Sequence, residues 1–215
     1  MSAKLLLQHP LFKNFSEQEL NDFLSNFSHS YRNYKKNDIV LQRGSRMKNI
    51  GILLLGRLLV YNLDESGYSN IVNEIYPPQS FGEALVAADI VESPFSVRAV
   101  KDCLVFYLDY QDLINGNKSV YYPTIMANLA QLLAEKVMTM NFRLVTAAQR
   151  KTRDKLLAYL YQQKQVQKST TLTLALNREQ LADYLFVDRS ALSAVLMKLK
   201  KEGVLDYHKN IFILK

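Results

Sequence analysis

The sequence predicts an α+β chain in three parts: an antiparallel β-barrel or sandwich, a long helix, and a winged two-helix motif. Three observations carry this. Between about 31 and 112, short apolar runs recur at about 8–12 residue intervals with turn residues between them. From Tyr122 the apolar period becomes helical and holds over three heptads. Residues 177–203 then read as two short amphipathic helices joined by a tight turn.

Each element follows from local chemistry. Residues 5–28 form a helical lead-in, with Ser16-Glu17-Gln18-Glu19 as a capping start and Leu20, Phe23, Leu24 and Phe27 at helical spacing. Strands are expected over 38–42, 50–55, 58–63, 71–76, 96–100 and 104–108. Gly44, Gly56, the Asp64-Glu65-Ser66-Gly67 run and Pro77-Pro78 supply the breaks. Tyr122-Pro123 opens the long helix. With Met126, Leu133, Met140 and Ala147 at d positions, Ala130, Val137 and Leu144 fall at a, so the whole seam is apolar. A second stripe of Ile125, Leu129 and Leu132 faces elsewhere and is expected to dock on the β region. Residues 147–151 read as a hinge, Thr152 as the next helix cap, and Leu156, Leu157 and Leu160 as that helix's core side. The domains expected are 1–112, a β-barrel sensing domain with its lead-in; 113–149, the long dimerisation helix; and 150–215, the winged motif.

Composition bounds the class. The chain has 215 residues, 48% hydrophobic and 22% charged, as in ordinary globular proteins. No apolar run approaches about 18 residues, so no membrane span is expected. The N-terminal apolar stretch is too short for a secretory signal, and a single Cys103 excludes a disulfide framework. A cytoplasmic location is expected. Cys103, in an alternating β run, reads as a buried small hydrophobe. Net charge is +7, and it is unevenly placed. Residues 1–112 hold 11 Lys/Arg against 13 Asp/Glu, 113–149 hold 3 against 1, and 150–215 hold 13 against 6. The excess lies on the 150–215 segment that contains the two-helix motif, as expected of a nucleic-acid-binding domain.

Within that motif Asn177 and Gln180 have capping-box spacing, and Leu181, Ala182 and Leu185 stripe the first helix. Phe186-Val187 makes the turn and Asp188 caps the second helix, whose core stripe is Leu192, Val195, Leu196 and Leu199 until Gly203 stops it. The polar face retains Arg189, Ser190, Ser193, Lys198 and Lys201, the chemistry that reads base edges in a major groove. Residues 204–207 and 211–214 form a hairpin whose tip brings His208 and Lys209 toward a phosphate backbone. The partners implied are double-stranded DNA at a near-palindromic site and a second copy of the chain, paired through Met126, Ala130, Leu133, Val137, Met140 and Leu144.

In this combination the chain resembles the Crp/Fnr (cyclic-AMP receptor and fumarate–nitrate regulator) superfamily of bacterial transcription factors over nearly its full length. The likeness rests on Gly44, Gly56, Gly67 and Phe81-Gly82-Glu83, and on Asn177-Arg178-Glu179-Gln180-Leu181-Ala182 and Asp188-Arg189-Ser190-Ala191-Leu192-Ser193. It implies a cyclic-nucleotide-binding-like jelly roll, a homodimer, a small-molecule effector in the barrel, and RNA polymerase as a further candidate partner. By resemblance Arg189 reads a base and Arg178 touches phosphate. Ser190 and Ala194 stand where many members carry Glu and a second Arg, so a different operator is expected. Phe186 stands where the turn commonly has Gly.

The resemblance also places an effector cassette at Gly82, Glu83 and Ser93, with Arg98 as the one nearby cation. Where cyclic-nucleotide binders carry an Arg-Ser pair, this chain has Ser93-Pro94. A buried phosphate needs a paired cation, so cyclic AMP is not the expected effector, whose identity the sequence leaves open. One cysteine cannot hold an iron–sulfur cluster. Haem is not expected, since His9 and His29 fall in the lead-in and read as surface residues. No catalytic triad or metal cluster of the cupin kind is spaced along the chain, and an enzyme is not expected. The competing reading is a ligand-binding module whose basic tail holds nucleic acid without sequence preference.

Overall fold

The computed structural model describes residues 2–63, 69–116, 119–174 and 176–215, and the chain divides into two compact units, Met1–Ala134 and Glu135–Lys215. The turn expected at 64–67 lies outside the described residues. The first unit opens with α1 (Ser2–Leu6), a 3-10 turn at Pro10–Phe12 and α2 (Glu17–Asn26). The start of α2 is a full capping box: Ser16 Oγ accepts the Glu19 N–H, and the Glu19 carboxylate accepts the Ser16 N–H at 2.8 Å. That second bond, made best by the ionised form, holds the Glu19 carboxyl below its ordinary value.

Eight strands follow: β1 (His29–Tyr34), β2 (Ile39–Leu41), β3 (Asn49–Leu55), β4 (Leu58–Leu63), β5 (Ser69–Ile75), β6 (Ser80–Phe81), β7 (Ser96–Ala99) and β8 (Cys103–Asp109). They pair as two antiparallel four-stranded sheets, β1-β8-β3-β6 and β2-β7-β4-β5. No ring of pairing closes among the described strands, so the expected barrel is a sandwich of two sheets. The first sheet is covered on both sides. Ile50, Ile52, Phe106 and Leu108 face the helices, whereas Leu53, Val105 and Tyr107 join Leu58, Val60, Val97 and Ala99 of the second sheet. Burial on both faces is why β3 reads as a continuous apolar run rather than an alternating one. Gly51 leaves room there for the Phe81 ring, which a Cβ would approach to 2.5 Å.

Helices α3 (Glu83–Ala87), α4 (Tyr110–Asn115) and α5 (Tyr122–Ala147) complete the series up to residue 147. Ile125, Leu129 and Leu132 of α5 are buried against the lead-in and the first sheet, as the second stripe predicted. Asn128 on the same side donates to the carbonyls of Leu11 and Lys13, at 3.0 and 2.9 Å.

Of the two histidines expected at the surface, the structure corrects one. His9 is buried rather than exposed, its Nδ1 accepting the Leu11 N–H at the head of the 3-10 turn. His29 is exposed, as expected, although it opens β1 rather than the lead-in, and its ring stacks on Phe106. Cys103 is buried as expected, and desolvation pushes its thiol up.

The second unit holds the end of α5 and then α6 (Thr152–Gln167), β9 (Thr171–Thr173), α7 (Arg178–Leu185), α8 (Arg189–Lys201), β10 (Leu205–His208) and β11 (Ile211–Leu214). The last three strands pair in the order β10-β11-β9. One core of Leu156, Leu160, Leu181, Leu185, Leu192 and Leu199 with Phe212 binds helices to hairpin. Thr152 does not cap α6; it is the first helical residue, and Lys151 takes the cap position without a side-chain bond.

Candidate nucleic-acid interface

Helix α7 begins with the expected capping box, Asn177 Oδ1 accepting the Gln180 N–H and Gln180 Oε1 accepting the Asn177 N–H, both at 2.9 Å. It ends at Phe186, whose φ of 53° is left-handed. Glycine takes this conformation freely, while a side chain costs about 1–2 kcal/mol. The ring gives something back. The Arg143 guanidinium lies 5.0 Å from the Tyr184 ring and 5.7 Å from that of Phe186, and Lys155 Nζ donates to the Phe186 carbonyl. Asp188 occupies the cap position of α8, though its side chain makes no capping bond.

Helix α8 buries Leu192, Leu196 and Leu199 and leaves the opposite face open. On that face Arg189, Ser190, Lys198 and Lys201 are exposed. Ser193 is half-buried and its hydroxyl donates to the Arg189 carbonyl at 2.9 Å. Lys200 is engaged otherwise: it pairs with Asp206, lies over the Tyr207 ring at 5.5 Å, and so ties α8 to the hairpin. The pairing raises the Lys200 ammonium and lowers the Asp206 carboxyl. Met197 shares the open face and is 66% exposed. Charge-based reading passed over it, although its position seven residues after Ser190 already put it there.

At the hairpin tip His208 and Lys209 are exposed, with Lys209 left-handed at φ 52°. Arg178 is turned toward this hairpin rather than to solvent. Its guanidinium lies 5.1 Å from the Tyr207 ring and 5.4 Å from Phe212, donates to the Lys209 carbonyl at 3.3 Å, and is shifted down by desolvation.

The seam residues of α5 split in two. Met126 and Leu133 are partly buried against the first unit's core. Ala130 is exposed, as are Val137 (55%), Met140 (63%) and Leu144 (65%), with Met138 and Val145 beside them. The Ala147 side chain lies outside the described residues.

In the first unit Gly82 is left-handed (φ 83°) and opens the short α3, with the Met47 thioether packed where a Cβ would stand. Glu83 and Ser93 are buried. The Ser93 hydroxyl is spent on its own loop, donating to the Phe95 carbonyl at 2.7 Å, while its backbone pairs with Gly44 and Ser45. Arg98 is not in the sandwich interior. Strand alternation sends Val97 and Ala99 inward and Arg98 outward, where it stacks 5.4 Å from the Tyr61 ring. Residues 82–95 contain no Lys or Arg. The cassette therefore does not fit a cyclic phosphate, whose charge would go unbalanced. Cavities of about 420 Å³, bounded by Asp22, Phe27, Asp112 and Tyr121, and about 630 Å³, bounded by Tyr161, Lys164 and Lys168, lie away from these residues. Among the described residues no His/Cys/Asp/Glu group could hold a metal, and no helix is long and apolar enough to cross a membrane.

Comparison with known proteins gives two family matches: the Cyclic nucleotide-binding domain over residues 31–116 and the Crp-like helix-turn-helix domain over 154–215. Among curated proteins, the potassium channel SKOR of Arabidopsis thaliana is 24% identical over 106 residues. That match covers 49% of this chain and 12% of the channel, so only a small part of the channel's length is shared. Among solved structures, the Thermus thermophilus catabolite activator protein aligns over 96% of this chain and 94% of its own, at 22% identity and a TM-score of 0.54. A CooA variant from Carboxydothermus hydrogenoformans aligns over 98% and 89%, at 19% identity and a TM-score of 0.64.

Proposed function

We propose, for a chain that belongs to the Crp/Fnr family of regulators, that it is a homodimeric, sequence-specific DNA-binding transcription regulator whose β sandwich takes a small effector. At the coarser level the chain is a DNA-binding transcription regulator with an effector-type domain. The observation that carries the finer reading is the open face of α8, where Arg189, Ser190, Lys198 and Lys201 are all exposed on a helix whose other side is core.

In this reading residues 1–112 sense, 113–149 pair two subunits, and 150–215 bind DNA. Each subunit sets α8 into one of two successive major grooves of a near-palindromic site. Arg189 donates bidentately to guanine, Ser190 and Ser193 add polar contacts, and Lys198, Lys201, His208 and Lys209 lie along phosphates. Arg178 acts by holding the hairpin tip in place. The exposed apolar residues Val137, Met140 and Leu144 meet their copies in a second subunit, as a heptad seam does. The effector seat is the surroundings of Gly82, Glu83 and Ser93, and it takes a molecule with no phosphate to neutralise.

The test is selection of a duplex from a random library, followed by binding of wild type and Arg189→Ala to selected and random DNA. Wild type prefers the selected duplex, and Arg189→Ala loses roughly 5- to 150-fold of that preference, the range of one guanine contact. Equal affinity of wild type for both duplexes would instead support a loose electrostatic binder.

A further inference from the structure

On the reading that α8 enters the major groove, we propose that Met197, with Ala194, is a specificity element that reads the 5-methyl group of thymine. Along α8, Ser190, Ala194, Met197 and Lys201 follow one another at i, i+4, i+7 and i+11 and share the exposed side. The centre of the face offered to DNA is therefore apolar, and its charges stand at the margins: Arg189 at the first turn, Lys198 and Lys201 at the last. Met197 is 66% exposed and Ala194 is exposed, so neither fills the core that Leu192, Leu196 and Leu199 complete.

A thioether and a methyl bring no donor and no strong acceptor to a base edge. Of the groups that base pairs present in the major groove, the thymine methyl alone is apolar, and apolar side chains recognise it by contact. Guanine, adenine or cytosine opposite Met197 would lose a water partner and gain nothing. Ala194 is small enough to let the helix approach, and the unbranched Met side chain is long and pliant enough to settle over a methyl. Arg189 then specifies a guanine, and the Ala194–Met197 pair specifies a thymine further along the same half-site.

The experiment uses the full chain and the duplex selected above, with each thymine replaced singly by uracil. That change removes the methyl and leaves every hydrogen-bonding edge intact. At one thymine of the half-site, uracil weakens wild-type binding about fourfold, the value of one buried methyl-sized group. Met197→Ala binds the thymine and uracil duplexes equally at that position, and Met197→Leu restores the difference. Circular dichroism melts of both variants match wild type, because the residue is exposed. The assignment is overturned if uracil is neutral at every position, or if Met197→Ala keeps the thymine preference. A selected duplex whose preference Arg189→Ala abolishes, but which is indifferent to uracil, sinks the thymine assignment alone. Failure to select any duplex sinks it together with the reading of α8.

Discussion

The two halves of α5 are similarly apolar and meet opposite fates. In the first half Ile125, Leu129 and Leu132 are buried among Leu11, Phe12, Ile52 and Phe106. In the second, Val137, Met138, Met140, Leu144 and Val145 stand more than half exposed. The second half belongs to the other compact unit, where these side chains keep the helical period and stay exposed. An exposed apolar stripe of this length is a surface waiting for a matching one. The contrast separates residues buried in the first unit's core from residues that stay exposed, a distinction that hydropathy alone does not make.

The largest effect that would break this comparison is in the buried half. Leu129→Ala removes a fully packed side chain and is expected to destabilise by about 2–5 kcal/mol in urea titrations. Leu144→Ala, made in the exposed half, is expected to stay within about 0.5 kcal/mol when the chain is monomeric. Equal costs would mean that the two halves do not differ.

A second prediction sharpens the exposed half. Met140→Glu with Leu144→Glu places like charges on an apolar seam. Sedimentation is expected to show a dimer for wild type and a folded monomer for the double variant, and binding to a two-half-site duplex should fall to the level of a single half-site. A double variant that remains dimeric would remove α5 from the interface.

Phe186 extends the comparison to an apolar residue that is exposed yet employed. Phe186→Ala keeps the left-handed strain and loses the face for Arg143, so a loss of about 1 kcal/mol is expected. Phe186→Gly loses the ring but relieves the strain, and its stability should lie close to wild type. The order of the two variants in thermal melts is the measurement, and the reverse order would refute the balance described.

The smallest effect concerns Lys200 and Asp206. The Lys200 side chain holds the Asp206 carboxyl below its ordinary value of 3.8, so the pair's contribution is present above that pH and fades as pH falls through the lowered value. Both groups are exposed, which keeps the effect small. The difference in melting temperature between wild type and Asp206→Asn should therefore shrink toward zero below pH 3.8, and a difference that grew on acidification would contradict the pairing.

Much of this architecture was legible before the structure, for reasons that can be named. Capping boxes at Ser16 and Asn177 are read from four-residue patterns because their bonds are local. The two stripes of α5 and the core stripe of α8 follow from the helical period. What escaped reading depended on distant partners. β1, β6 and β9 are short or polar and exist because β8, β3 and β11 pair with them. His9 is buried because a 3-10 turn folds over it, and Arg178 points to the hairpin because two aromatic rings from β10 and β11 are there to receive it.

By itself the sequence determined the succession of β region, long helix and winged motif, the basic C-terminal region, the apolar period of α5 and the residues on each face of α8, since all of these are set by spacing and composition. Only the tertiary structure decided that the strands form two sheets without closing, that Arg98 stacks on the outside of the second sheet, and that Met197 lies unclaimed at the centre of the open face. The reason is that pairing, sidedness and burial are properties of contacts between segments far apart in the chain, and those contacts exist only after folding brings them together.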